Sequence, residues 1–408
     1  MNICLLSTST PLHQVGGTEL HAEILARLAA AKGHRVFWVT TASPDGRETE
    51  KKDGYRIDYL RGTSHRMSRK DAPAWWSAST EKILALKAEH GLDVIWAENL
   101  CGQHYAAFAR AKAGVPLVSI INGLGIRGEV ISNWNRVNSF SEIAWFFTRY
   151  AVQTLFYYLP WLNRTIRDSD LVVAISDESF LELGQEFPSA RGKMIKIYNP
   201  IDTALFAPDK RKREAARHKL GVLPGEQLLL MTGVLHKQKG FHVGLKAFAL
   251  LREEFPGLKL AIAGDGPEAG ALKTAAERSG LSNAVTFTGN IPNRDLPEIY
   301  NAADIYLNPT LRKEGLALVI LEAMACGLPS VISKIGGTGS TITDGVNGFF
   351  TSPGDSAGIA KKTAAILRDP ALAAAMGAAA REKACADFSE KNIGRYLEIS
   401  EGLLKAGK

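Results

Sequence analysis

The sequence predicts an α/β protein made of two βα domains in tandem. Three observations carry this reading. Short apolar runs alternate with segments of helical spacing along most of the chain. The runs are apolar on consecutive residues, the pattern of strands in a parallel sheet covered on both faces. The alternation breaks once, at YNPIDTALFAP (198–208), where two prolines and an Asn-Pro step read as a linker, and then restarts.

In order, NICLLST (2–8) is the first strand. Thr18 to Lys32 has helical apolar spacing and ends at Gly33, a residue suited to a C-terminal cap. RVFWVTT (35–41), VIWAEN (94–99), PLVSIIN (116–122), LVVAIS (171–176) and MIKIYN (194–199) are the following strands of the first domain. After the linker come LLLMTG (228–233), LKLAIAG (258–264), VTFTG (285–289), DIYLNPT (304–310) and PSVIS (329–333). Helices are expected between them near 241–255, 267–280, 294–302 and 316–326, with an Ala-rich helical tail from 356. Two such sheets, each with its own helices, is the natural architecture.

Composition narrows the function. At 408 residues, 46% hydrophobic and 22% charged, the chain matches an ordinary globular protein. A net charge of +7 suits phosphorylated ligands or an anionic membrane surface. No Lys/Arg block carries interleaved aromatics, so nucleic acid is not an expected partner; KRKR (210–213) reads as a solvated helix start. Cys4, Cys101, Cys326 and Cys385 are far apart, which argues against a zinc site or disulfide framework and fits a reducing, cytoplasmic compartment. MNICLLSTST has no basic leader and reads as a strand, not a signal peptide.

In open α/β sheets ligands bind at the carboxyl ends of strands, so the informative residues follow strands. Gly16-Gly17 stands after the first one, before a helix that Thr18 can cap; its free N–H groups suit an anion or a sugar hydroxyl, and a plain turn is the alternative. His13 shares that loop and either touches a ligand or faces water. No GxGxxG occurs, so a nicotinamide or flavin cofactor is unsupported. In TGVLHKQKGFHVGL, Gly233 ends a strand, and Lys237 and Lys239 precede a helix where a lysine reaches a phosphate as a point charge. AGDGPE (263–268) is another Gly-rich turn; it is either a plain turn, the favoured reading, or one in which Asp265 orients the loop. KEGLALVILEAMACGLPSV (313–331) sets Glu314 in a loop, has Gly315 open a helix, and buries Glu322 about two turns along. A buried carboxylate needs a partner. Glu314 is placed to accept from sugar hydroxyls near the backbone N–H groups of 315–318, and Glu322 to take a ribose diol with both oxygens.

The last stretch resembles the signature of the retaining glycosyltransferases of family 4, with Glu314 and Glu322 at its two glutamates. The likeness extends through GGTEL (16–20), AIAGDGPE (261–268), VTFTG (285–289), ADIYLNPT (303–310) and GGTGSTITDGVNGF (336–349). It implies the GT-B fold, two Rossmann-like βαβ domains facing across a cleft. Residues 1–197 would bind the acceptor and 198–389 the nucleotide-sugar donor, with the helix of 390–408 crossing back to the first domain. Glu314, Lys239 and Asn122 become the expected catalytic residues. Glu322, Gly233, Lys237, Gly315, Leu316, Ala317, Leu318, Gly264, Asp265 and Ile291 become the expected donor contacts, and Gly16, Gly17 and His13 the acceptor or phosphate loop. The chain departs from the family pattern at Val234 (usually arginine), Asn122 (often histidine) and Ser340 (often glutamate).

The resemblance implies sugar transfer to a hydroxyl with retention, by front-face attack and without a required metal. A UDP-sugar is the expected donor ahead of a GDP-sugar. A glycan or lipid-linked acceptor in bacterial cell-surface polysaccharide or lipopolysaccharide assembly follows by family analogy. A non-catalytic GT-B binding or scaffold protein is the alternative; the departures motivate it and the two intact glutamates oppose it. Asp168-Ser169-Asp170 spells DxD, but before a strand, at the wrong end for a ligand. IAWFFTRYAVQTLFYYLPWL (143–162) is an apolar, aromatic helix interrupted by Arg149 and Pro160. It packs in the first domain or lies in a membrane interface, a peripheral contact on the inner face of the cytoplasmic membrane.

Overall fold

The computed structural model describes residues 1–14, 16–66, 68–123, 130 and 140–406. The chain parts into two compact units, Met1–Pro200 together with Glu390 onward, and Ile201–Ser389.

The first unit holds β1 (Asn2–Leu6), β2 (Arg35–Thr41), β3 (Thr49–Lys52), β4 (Tyr55–Leu60), β5 (Val94–Glu98), β6 (Leu117–Ile121), β7 (Leu171–Ala174) and β8 (Met194–Lys196). Their order across the sheet is β3-β4-β2-β1-β5-β6-β7-β8. Only the β3–β4 pair is antiparallel. The inner strands are buried on both faces, as their largely apolar runs predict; β5 and β6 have no exposed residue. The hairpin of β3 and β4 was not expected. β3 is the polar, exposed edge TEKK and gives no strand signal, although Asp53-Gly54 after it is a hairpin-turn dipeptide. The C-terminal helix Asn392–Ala406 packs in this unit: Trp96 Nε1 donates to Ser400 Oγ at 3.0 Å, and Tyr396 lies against the Trp96 ring.

The second unit holds β9 (Leu228–Thr232), β10 (Lys259–Ala263), β11 (Val285–Gly289), β12 (Ile305–Asn308), β13 (Ser330–Ser333) and β14 (Gly348–Thr351). All run parallel, in the order β11-β10-β9-β12-β13-β14. This is the doubly wound order. The winding reverses between β9 and β12, and the crevice that such a reversal makes lies at the carboxyl ends of these strands. In the first unit the reversal lies between β1 and β5. The 201–208 segment is not a free linker. Ile201 N–H bonds Phe388 O at 2.8 Å, Phe206 is buried, and the Arg381 guanidinium donates to Thr203 O and Phe206 O.

The 143–162 segment lies in a helical run from Phe140–Trp145 to Leu159–Asp168, broken by π-type turns at Phe146–Tyr150 and Thr154–Tyr158. One side is core: Phe146, Leu162 and Ile166 are buried, and Trp161 stacks edge-on against Trp76 at 4.8 Å. The other side leaves Trp145, Phe147, Leu155 and Phe156 exposed, the last to 68%. The packed side agrees with the reading of this helix as part of the first domain. Among the described residues no helix is long and apolar enough to cross a membrane.

Candidate active site

The crevice of the second unit is built by backbone contact between loops. Gly264, after β10, has φ +140°, and a Cβ there would fall 1.9 Å from Gly233 O. Gly240, at φ +70°, is pressed as closely on Pro309 O. No side chain fits at either, so the loops after β9, β10 and β12 close on one another. Asp265 Oδ1 accepts from Gly266 N–H at 2.7 Å within its own turn. Ile291 lies partly exposed in the loop after β11.

Leu311 N–H donates to Gln238 O at 2.8 Å and ties the β9 loop to the β12 loop. That tie brings Lys239, on a 3₁₀ turn of Lys237–Lys239, to Glu314. Lys239 Nζ donates to Glu314 Oε1 at 2.8 Å, and Thr310 Oγ1 donates to the same oxygen at 3.1 Å. Glu314 Oε2 has no hydrogen-bond partner among the described residues. The side chain is 14% exposed. Burial raises its pKa, but the Lys239 ammonium, Arg312 and the Thr310 hydrogen bond outweigh that and hold it below the ordinary value. Lys237 is exposed, and so is Val234, which carries no charge where the family pattern has arginine.

The helix expected to open at Gly315 starts instead at Leu318, with Ala317 as its cap. Gly337 N–H donates to Glu314 O at 2.7 Å, and this bridge keeps the chain extended into Ala317. Gly315, Leu316, Ala317 and Leu318 are all buried, and no side chain caps the helix N–H groups. Glu322 is 4% exposed on the same helix. Tyr300 hydroxyl donates to its Oε2 at 2.7 Å, which among the described residues leaves one oxygen without a partner, where the sequence reading used both. Burial pushes this carboxyl up to about 7 against the pull of that hydrogen bond. Thr232 Oγ1 lies 2.9 Å from the Tyr300 hydroxyl and 3.2 Å from that of Tyr306, so Glu322 heads a buried polar chain beneath the crevice.

In the first unit, three expectations change. Gly16, not Thr18, is the cap of the helix Gly17–Ala31. The acid of its first turn, Glu19, is buried at that end, its Oε1 accepting from Ser9 Oγ and from Gln14 Nε2. A carboxylate is favoured there by the helix dipole, so the N-terminus expected to take a phosphate already has an acid in its first turn. His13 is held by the protein itself: Nδ1 lies 3.1 Å from Thr10 N–H, and Nε2 lies 3.0 Å from Ala42 O. Both ring nitrogens thus have protein partners, one in the loop and one just after β2, and burial lowers its pKa. Asn122 follows β6, and its Nδ2 donates to Glu98 Oε2, so the donor expected for a sugar hydroxyl already has a partner.

Asp168 and Asp170 pair with Arg167 and Arg110 at the start of β7. No group of three metal-ligating side chains occurs among the described residues. The sequence reading missed Thr310 and Tyr300, which complete the surroundings of the two glutamates, and Glu98-Asn99, which closes β5. The strand-end rule reached VIWAEN without weighing its final two residues.

A doubly wound unit that sets a lysine–glutamate pair and a second buried acid at its sheet reversal has the build of a domain that binds a nucleotide-linked substrate. The descriptions "Glycosyl transferases group 1" and "Glycosyltransferase Family 4" match residues 212–383 and 15–205. The chain belongs to the family 4 glycosyltransferases, of GT-B fold, enzymes that use nucleotide sugars. It is 29% identical over 411 aligned residues to a glycogen synthase of Mycobacterium tuberculosis, covering 96% of this chain and 92% of that one. It is 33% identical over 253 residues to a GDP-mannose-dependent alpha-(1-6)-phosphatidylinositol monomannoside mannosyltransferase of Mycolicibacterium smegmatis, covering 60% and 65%. In fold it resembles a sucrose-phosphate synthase from Thermosynechococcus elongatus, with a TM-score of 0.81, 22% identity and full coverage of both chains. It also resembles the Anabaena protein HepE in complex with UDP, with a TM-score of 0.76, 23% identity and coverage of 98% and 100%.

Proposed function

We propose that the protein transfers a sugar, with retention, from a nucleoside-diphosphate sugar to a hydroxyl of a glycan or lipid-linked acceptor. The observation that carries this reading is the Lys239–Glu314 pair at the reversal between β9 and β12, with Glu314 Oε2 unoccupied. Glu322, through its free oxygen, takes the ribose hydroxyls. Glu314 accepts from hydroxyls of the transferred sugar. Lys239, already held in place, offers positive charge to the diphosphate as it departs, where a fixed charge lowers the barrier most. The departing phosphate oxygen takes the acceptor's proton, so no covalent nucleophile is assigned. In this reading Ile201–Ser389 holds the donor and Met1–Pro200 the acceptor.

The scaffold alternative is disfavoured because both acids keep environments suited to a ligand and Lys239 is in place. A UDP-sugar is proposed as donor, in line with the nucleotide in the HepE complex. The mannosyltransferase relative acts on a phosphatidylinositol monomannoside, which supports a lipid-linked acceptor and a role at the cell surface. The exposed Phe147, Leu155 and Phe156 face is the proposed membrane contact, on the cytoplasmic side.

The test is a melting screen with UDP, GDP, ADP and TDP, because a ligand bound only by the folded state raises Tm. Hydrolysis of the matching sugar nucleotide follows, the anomer released being read by NMR. A rise with UDP and an initial α-product from an α-donor support the reading. No shift with any nucleotide would favour the scaffold.

A further inference from the structure

Tyr300 is wholly buried on the helix Leu296–Ala302, and its hydroxyl meets three groups. Glu322 Oε2 lies at 2.7 Å, Thr232 Oγ1 at 2.9 Å and Val319 O at 3.2 Å. Glu322 and Val319 share the helix Leu318–Ala325, and Thr232 ends β9. Behind Thr232, 3.2 Å further on, is the hydroxyl of Tyr306 on β12. All of these residues belong to Ile201–Ser389. Among the described residues no other group bonds the Glu322 carboxyl.

A hydroxyl has one hydrogen to give and lone pairs with which to accept, whereas a carboxylate and a main-chain carbonyl only accept. With Glu322 ionised, Tyr300 gives its hydrogen to Oε2, and Thr232 gives its own to the tyrosine oxygen. With Glu322 protonated on Oε2, the carboxyl donates to the tyrosine oxygen, and Tyr300 turns its hydrogen to Val319 O. One hydroxyl therefore satisfies Oε2 in either state without moving. Burial and the nearby Glu322 charge push the Tyr300 phenol up, so it stays a donor. In both states Oε1 is left over as the acceptor.

We propose that Tyr300, backed by Thr232, is a positioning residue that fixes one oxygen of Glu322 and so aims the other at the hydroxyls of a nucleotide ribose, which makes the donor site selective for ribonucleotides. This rests on the placement of Glu322 in the donor site in the reading above. Tyr300 itself does not touch the nucleotide. Without its hydroxyl the carboxyl is free to turn about its last bond, and burial, no longer opposed, favours the protonated form. A deoxyribose leaves Oε1 unpaired, and a buried polar site rejects a ligand that lacks the hydroxyl it was built to bind.

The test measures binding of UDP and of 2′,3′-dideoxy-UDP to wild type and Tyr300→Phe by calorimetry, from pH 6 to 9. At pH 7 the wild type should prefer UDP. Tyr300→Phe should lose about tenfold of that preference, the worth of one well-placed hydrogen bond, while both proteins bind the dideoxy nucleotide alike. At pH 9 part of the preference should return in the variant, because its carboxyl is then ionised. A structural role alone would weaken both nucleotides at every pH, and that result would overturn the proposal. So would a variant that keeps the full preference throughout, or a wild type that has none. Tyr300→Phe removes a single oxygen, and its folding is checked by its melt. If it does not fold, Thr232→Val takes its place, and an unchanged preference there would overturn the proposal. If the wild type binds none of UDP, GDP, ADP and TDP, the transferase reading and the ribose selectivity fail together, and the hold on Glu322 is read without ligand. The pH dependence of melting, taken as the difference between each protein and its Glu322→Gln counterpart, should then move up by about one pH unit in Tyr300→Phe. An unmoved profile would overturn the positioning role.

Discussion

The Tyr300 hydroxyl lies 2.7 Å from Oε2 of Glu322, inside a helix that is otherwise apolar. It stabilises a carboxylate that burial opposes, and burial wins, so the pKa rises from 4.5 to about 7. Between those two values the folded protein keeps a proton that the unfolded chain has released. Stability therefore falls as pH rises across that window, by at most about 1.4 kcal/mol per pH unit. In Glu322→Gln this slope should vanish, and above pH 7 the variant should melt higher than wild type. Thermal melts from pH 5 to 8 decide. Ribose hydroxyls donate to the ionised form, so nucleotide binding near pH 6.5 should release a proton. Calorimetry in buffers of different ionisation enthalpy reads it, and a heat independent of buffer would remove Glu322 from the ribose.

Glu314 behaves oppositely, because Lys239 stabilises its charged form. Its contribution to stability is present above the ordinary carboxyl pKa and is lost as pH falls through its lowered folded value. Lys239→Ala should remove that contribution, at a cost of roughly 1.5–3 kcal/mol for a hydrogen bond to a charged group. Glu314→Ala should fold and lose about a hundredfold in kcat, the effect of removing one transition-state hydrogen bond. Near wild-type turnover would displace Glu314 from the mechanism.

Gly264→Ala should fail to fold or melt far below wild type, since the new methyl meets Gly233 O at 1.9 Å and φ is +140°. The control is Gly402→Ala, in the helix Asn392–Ala406, where a Cβ meets nothing within 4 Å. It should stabilise by about 0.5–1 kcal/mol through helix propensity. Equal melting of the two variants would mean that the loops after β9 and β10 do not touch.

The exposed aromatic face should bind anionic vesicles, more weakly at high salt. Phe147→Ser, Leu155→Ser and Phe156→Ser together should abolish pelleting without lowering Tm. Phe146 and Trp161, which a sequence-based choice would include, belong to the packed side and would unfold the helix instead. A wild type that stays in the supernatant with both anionic and neutral vesicles would leave the acceptor soluble.

The two-domain α/β plan was legible in the sequence, because strands of a parallel sheet covered on both faces are mostly apolar on consecutive residues, as β5, β6 and β9 are. The sequence also marked Glu314, Glu322 and Lys239, since acids amid small apolar residues and a lysine after a strand are local anomalies. What it left undecided was everything set by residues distant in the chain. Tyr300 reaches Glu322 across 22 positions, Lys239 reaches Glu314 across 75, and Glu98 takes hold of His21 and Asn122 from 77 and 24 positions away. Hydrogen-bond polarity depends on such partners. That is why the protein partners of the His13 ring and of the Asn122 carboxamide could not be read from the sequence. The exposed and packed sides of the 143–162 helix were likewise indistinguishable by composition, because its aromatics line both; only docking against Trp76 and the neighbouring core chose which ones water sees.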